Sequence, residues 1–431
     1  MHSHKDFFAF VIPSILAFAL SGVYAIVDGF FIGNSIGDDG LAAINVAYPI
    51  TAFIFSIGTG IGMGGAVQYS IHSMNQKKQG KYFAMTILLL SMASIGCTLV
   101  FYFLNHPLLV AFGADDALLT YGMDYLHIIV LGSIFQIFAS GLIPLLRNMG
   151  GAMHAMIAMV CGCAINIVLD YLLIWVFDFG LIGAALATVA GEGFSLLFCV
   201  IFMIKKHVKL SIPPKTKWAS LTVTILKSGL SPFGLTFSPN IILILMNKFA
   251  MIYGGANAVA CYAVVAYINS IILLLLQGVG DGSQPLLSQH HGQKAHEHVR
   301  FTGILAYKTA VAIAIVCMVV LYLMRSLIGP LFGASPMVST QVVEALPYFL
   351  VGFIFMAYLR ITTSWFYATE QNAFAYLLVY GEPVLLLISL LIIPQLTGRL
   401  GIWIAVPVSQ ILTCFMARLA QKQTAQKQQK A

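Results

Sequence analysis

Residues 7–36 read FFAFVIPSILAFALSGVYAIVDGFFIGNSI, an apolar stretch far too long for the core helix of a soluble protein. At 1.5 Å per residue, about 20 residues cross the hydrocarbon layer of a bilayer, so this stretch spans with length to spare. It carries Pro13 near one end and Asp28 towards the other. A carboxylate inside a membrane helix costs about 2.5–3.5 kcal/mol on insertion scales, and is kept because it binds something unless it reaches the headgroup layer. A second copy of the stretch, in which the acid is missing, decides between these two readings of Asp28.

Of 431 residues, 60% are hydrophobic and 9% charged, more apolar surface than a soluble chain can hide. The chain is therefore read as an all-α polytopic membrane protein. The first stretch is too long, and too interrupted by Pro13 and Asp28, for a cleaved signal peptide. Seven cysteines lie mostly inside apolar segments. Their one close pair, Cys161 and Cys163, reads as small residues at a helix contact rather than metal ligands. The net charge of +7 suits a basic cytoplasmic face and implies no nucleic-acid partner.

Apolar runs and helix breakers mark twelve spans, roughly 7–36, 43–71, 82–105, 118–146, 152–177, 180–204, 220–252, 258–288, 301–328, 340–367, 372–394 and 400–420. Of the 22 Lys and Arg, all but Lys248, Arg325 and Arg399 fall on one side, Arg147 and Arg360 among them. The opposite loops hold Asp38, Asp39, Asp115, Asp116 and Asp178. The positive-inside rule then places both termini in the cytoplasm of a cell whose inner or plasma membrane holds the protein. Residues 205–219, with Pro213 and Pro214, read as a cytoplasmic linker between a first lobe (1–204) and a second (220–420), followed by a tail (421–431). Near that second lobe, His290, His291, His296 and His298 crowd one loop. They could hold a metal, but they flank a span end beside Lys294 and Arg300, which argues against one.

The two lobes are copies. Pro13 and Pro232, Asp28 and Asn247, and Tyr48 and Tyr267 each stand 219 positions apart. The glycine ladder Gly60, Gly62, Gly64 returns as Gly278, Gly280, Gly282, and Gly180, Gly183, Ala187 return as Gly398, Gly401, Ala405, both at 218. Six spans separate the copies, an even number, so they run in the same direction as two parallel six-helix repeats. Such halves enclose a central cleft and rock against each other, which means transport rather than catalysis. No nucleophile–base pair or metal constellation suggests an enzyme.

Three polar positions of the first lobe share one depth. Asp28, Asp170 and Thr188 each lie about eight residues from the outer end of their span, roughly 12 Å below the surface. Asn166 precedes Asp170 by four residues and projects from the same helix face. Two carboxylates, an amide and a hydroxyl offer hard oxygen ligands to a small cation such as Na⁺. The same acids could instead hold a proton, because burial and a neighbouring like charge both favour the neutral acid. At the repeat offset the second lobe has Asn247, Val384, Ile388 and Val406 in place of Asp28, Asn166, Asp170 and Thr188. Helix-packing glue would survive in part in both copies. Joint loss favours a single cation site in the first lobe.

Other polar residues inside spans are weaker candidates. Glu192, one turn below Thr188, could relay a proton or meet a cationic substrate. Glu382 with Pro383 suggests a cavity wall, and Asn247 is a further cavity candidate. Asp281 sits in the second glycine ladder and is expected to reach water, while Lys248 snorkels. Met149, Met153, Met156 and Met159 read as packing, although soft thioether walls also suit varied ligands.

With IPSILAFALSGVYAIVDGFFIG in the first span, and NIVLDYLLI followed by GLIGAALATV across the fifth and sixth, the chain resembles the multidrug and toxic compound extrusion (MATE) transporters over essentially its whole length. The resemblance is to the prokaryotic branch with its cation site in the N-terminal lobe. It implies that Asp28, Asn166, Asp170 and Thr188 bind Na⁺ or H⁺, and that protonation of the first-span acid is linked to bending at Pro13. It departs from relatives at RNMGGAMHAM after the fourth span, where a Pro and a Lys are common. The expectation is a monomeric secondary antiporter in contact with membrane lipids, needing no cofactor beyond its coupling ion. It would export amphipathic, cationic organic compounds in exchange for Na⁺ or H⁺. A flippase for lipids or lipid-linked saccharides shares the architecture, but would want a basic central cavity, and few Lys or Arg fall inside the spans.

Overall fold

The computed structural model describes residues 4–112, 114, 116–208 and 211–430. Asp115 and Lys209, and the side chains of Asp38, Asp116, Lys427 and Lys430, all counted above among the topology charges, lie outside the described set.

The described chain is helical nearly throughout: α1 (His4–Ser35), α2 (Asp38–Ile71), α3 (Gln76–Ala111), α4 (Asp116–Leu131), α5 (Ser133–Asn148), α6 (Ala152–Asp170), α7 (Gly180–Lys205), α8 (Trp218–Gly292), α9 (His296–Leu331), α10 (Pro336–Ala368), α11 (Asn372–Thr397) and α12 (Arg399–Lys430). A lipid environment leaves backbone polar groups no solvent partner, so the helix, which satisfies them internally, is the element these apolar sequences must form. Ten helices are long and apolar enough to cross a membrane. The α4–α5 pair, bent by 57° around Gly132, makes an eleventh, and α8 counts twice because Gly255 (φ 65°) interrupts it. Twelve spans result, as expected from the sequence.

The 75-residue α8 cannot be straight. Gln68 near the end of α2 donates to Ser228 at 3.2 Å, and Ile71, one turn on, packs on Gly292. A straight helix would hold residues 228 and 292 roughly 95 Å apart. The chain therefore doubles back at Gly255, whose positive φ a residue with a side chain rarely adopts.

Two compact units are present. One runs to Thr236 and takes in Ser288–Ala295; the other comprises Phe237–Leu287 and the residues from His296 on. In the first, Ile54, Leu90, Leu126, Ile137, Leu145 and Ala184 form a core joining α2, α3, α4, α5 and α7. In the second, the rings of Tyr262, Phe349 and Trp403 cluster between α8, α10 and α12, and Leu346, Phe353 and Ile361 of α10 are buried. Many Leu, Ile, Val and Phe side chains remain exposed along α1, α3, α9 and α11, the surface lipid tails would cover.

Within the first unit the α2 glycine ladder is a close backbone contact. A methyl added at Gly62 would fall on the backbone of Gly141 of α5. Its repeat partner Gly280 has only Ser364 nearby, at 3.5 Å, an ordinary contact. Gly62→Ala is therefore expected to lower stability by about 1–3 kcal/mol, and Gly280→Ala by well under that. Thermal melting of the two purified variants checks the contrast, and equal melting points would contradict it.

Candidate functional site

Asp28 sits about three-quarters of the way along α1, and α6 runs beside it, so that Asp170 at the end of α6 meets it. The two carboxyl groups are within hydrogen-bonding reach of each other. Asp170 is fully buried, and both its oxygens, with Asp28 Oδ1 and Asn166 Oδ1, accept no hydrogen bond from the protein. Two facing carboxyls with no donor between them require a positive charge: a shared proton or a small cation.

The remaining members complete the arrangement. Asn166, one turn before Asp170, donates through Nδ2 to Thr188 Oγ1 of α7 at 3.4 Å, which leaves its carbonyl oxygen unengaged. Thr188 in turn donates to the carbonyl of Ala184 at 3.0 Å. Four oxygen-bearing side chains from three helices thus converge, a donor set that suits a hard cation such as Na⁺.

Sequence reasoning missed two tyrosines. Tyr24 lies one turn before Asp28 on α1, and Tyr125 of α4 hydrogen-bonds with Thr188; both are electrostatically coupled to Asp28 and Asp170. The four-residue spacing of Tyr24 from Asp28 could have revealed the first. Tyr125 had no such signal, because only tertiary packing brings α4 to the site. The bend at Gly132 is part of that packing, since a side chain there would collide with Val189, next to Thr188.

After Asp170 the α-helical register gives way to a π-helical turn over Tyr171–Val176. Such widened turns recur at functional sites because they re-aim side chains. Here the turn sets Trp175 edge-on to Phe31 of α1, with centroids 4.9 Å apart, one turn beyond Asp28. Aromatic packing therefore closes the carboxyl pair on the C-terminal side of α1. On the other side, α1 continues unbroken through the buried Pro13. Glu192 is half-buried one turn beyond Thr188 on α7.

Asn247 and Glu382 belong to the second unit and join no comparable site. Asn247 is half-buried, and the neighbouring Lys248 is exposed. Val384 and Ile388, which stand in place of Asn166 and Asp170, are open apolar positions. Glu382 instead interacts with Arg360 of α10 and hydrogen-bonds with Gln410 of α12.

One sequence expectation needs correction here. Asp281 does not simply reach water: it is buried, Tyr367 donates to its Oδ1 at 3.4 Å, and Arg360 lies in its field. Arg360 is itself half-buried in the second unit. Arg147 is likewise buried, its guanidinium 5.2 Å from the Phe18 ring centroid and 3.6 Å from Met159 Sδ. For all three, protein partners supply what water would have. The four histidines do not share a loop: His290 and His291 end α8, and His296 and His298 begin α9, and among the described residues they join no group able to hold a metal ion.

Comparison with known proteins agrees with this architecture. The chain is 24% identical over 428 residues to the multidrug export protein MepA of Staphylococcus saprophyticus, covering 96% of this chain and 92% of that protein. It is 25% identical over 422 residues to the MepA of Staphylococcus haemolyticus, with the same coverage. The fold superposes with a TM-score of 0.93 on the outward-facing conformation of a multidrug resistance MATE family transporter of the MOP superfamily, at 20% identity, over 99% of this chain and 96% of that one. A MOP superfamily transporter from Pyrococcus furiosus, described as having a binding pocket of reverse polarity, superposes at 0.91 and 20% identity, over 97% and 95%. The MatE family model matches both halves of the chain, over residues 13–172 and 235–388, and the protein therefore belongs to the MATE family of membrane transporters.

Proposed function

We propose that the protein is a secondary antiporter that exports amphipathic organic cations in exchange for Na⁺ or H⁺. The observation that carries this reading is the facing pair Asp28 and Asp170, two carboxyls with no donor between them inside apolar helices. Multidrug export by the MepA relatives, as their name states, supports the class of cargo. The charge bias of the loops supports an orientation with both termini in the cytoplasm of a plasma or inner membrane. The protein works as a monomer, because each step needs residues of one chain alone.

In mechanism, a cation entering from outside takes the place between Asp28 and Asp170, with Asn166 and Thr188 as further oxygen ligands. Neutralising the pair changes what α1, α6 and α7 hold between them, and Pro13, which leaves α1 one backbone hydrogen bond short, is the point where that helix gives. The two lobes rock, the cation leaves to the cytoplasm, and cargo loads in its place. A ligand drives such a change only through its differential affinity for the two states. An inward gradient supplies the work, and a negative interior adds about 2.3 kcal/mol per charge per 100 mV.

The test is purified protein in liposomes with an imposed Na⁺ or pH gradient, following fluorescent ethidium. Efflux driven by one gradient and not the other is the expected result, and it identifies the coupling ion. Absence of ethidium movement under both gradients would overturn the reading in favour of a flippase acting on lipids or lipid-linked saccharides.

A further inference from the structure

Glu192 takes no part in the carboxyl pair. It is half-buried in the apolar run of α7, and no hydrogen bond or ion pair to another described residue accounts for it; burial is its one environmental influence. Its charge reaches the Cys163 thiol of α6, which meets the Ser21 hydroxyl of α1 at 3.9 Å, and that of Cys199, two turns further along α7.

The charges of the first unit do not balance around it. Asp28, Asp170 and Glu192 are three carboxyls within apolar spans, whereas Arg147 is the one buried Arg or Lys among the described residues of that unit. Arg147 also influences Cys199, but its guanidinium lies over Phe18 and against Met159. One cation serves the Asp28–Asp170 pair. Glu192 still lacks a counter-charge.

A proton wire from Glu192 to the pair finds no support in the hydrogen bonds. Between them stand the Thr188 hydroxyl, already donating to Ala184, and the Asn166 amide, which does not pass protons on. An unpaired, half-buried carboxylate in an apolar helix suits a weakly hydrated organic cation better than a strongly hydrated bare ion, which gives up more solvation to enter. Resting on the exporter reading above, we propose that Glu192 is the specificity residue for cationic cargo. Its carboxylate meets the ammonium, amidinium or iminium charge of the exported compound, one helical turn from the ion site and separate from it.

The experiment measures ethidium binding to detergent-purified protein by fluorescence polarisation, together with the tryptophan fluorescence response to Na⁺ and to acid, which Trp175 near the ion site reports. Glu192→Gln is expected to weaken ethidium binding by about tenfold or more, and Glu192→Asp by less than about threefold. Both should keep the wild-type ion response, which also shows that they are folded. Glu192→Gln binding ethidium as tightly as wild type would overturn the assignment. So would loss of the ion response in Glu192→Gln alongside a normal one in Glu192→Asp, since Glu192 would then belong to the ion route. Wild type that binds no ethidium would overturn the exporter reading and this assignment with it.

Discussion

Asp28→Asn is expected to reduce gradient-driven efflux to the level of protein-free liposomes while leaving the protein folded and inserted. The substitution is nearly isosteric, and α1 keeps its packing against α6. What changes is the chemistry between the two side chains. In wild type, two acceptor groups face each other and need a proton or a cation between them. An amide at position 28 brings its own N–H donor, so Asp170 gains a hydrogen bond with no ion present, and the incoming cation loses a formal charge as ligand. Binding and release of the coupling ion then no longer separate the two states of the transporter. Two measurements check this. Efflux should disappear, and stabilisation of the purified protein by the coupling ion, visible in wild type as a concentration-dependent rise in melting temperature, should disappear with it. Normal efflux by this variant would remove Asp28 from the mechanism.

The second large effect concerns stability. Arg360→Met is expected to destabilise the second unit by about 3 kcal/mol, the low end of the range for breaking a buried ion pair, because Arg360 is only half-buried. Arg360 is shared by Glu382 of α11 and Asp281 of α8, and Tyr367 ties Asp281 back to α10. Ser364 extends this tie, donating to the Gly280 carbonyl at 3.0 Å and to Tyr367 at 3.3 Å. Removing the guanidinium leaves two acids without their counter-charge inside a low-dielectric bundle. Replacing all three charges together, as Arg360→Met with Asp281→Asn and Glu382→Gln, should recover most of the loss, since a neutral cluster pays no desolvation penalty. Thermal melting in detergent distinguishes these outcomes. Arg360→Met melting with wild type would show that the network carries no stability.

The polar set of the first unit was legible in the sequence. Asp28, Asn166, Asp170 and Thr188 were grouped by depth and by four-residue spacing, and the helices do bring them together. That worked because a membrane fixes the axial coordinate of each residue: counting 1.5 Å steps from a span end yields one dimension of the structure. The lateral coordinates were not available in the same way. Tyr125 reaches Thr188 because α4, before the bend at Gly132, packs on α7, and a glycine in an apolar run reads equally well as packing. The π-helical turn after Asp170 was invisible for a related reason, since Tyr171–Val176 has the composition of any membrane helix.

Which charges near span ends are buried was not legible. Asp281 was expected to reach water, and the burial of Arg147 and Arg360 had no signal, because an isolated charge is costly in hydrocarbon. That cost depends on partners, and partners come from other helices: Phe18 and Met159 for Arg147, and Asp281 and Glu382 for Arg360. By itself, the sequence determined the class of protein, the twelve spans, the duplication and the depth of the polar set, because hydrophobic length and helical rise are local properties of the chain. Only the tertiary structure decided which buried charges face one another, where helices bend or widen, and which carboxyl remains without a partner. Those depend on the packing of surfaces distant in sequence, which no spacing along the chain encodes.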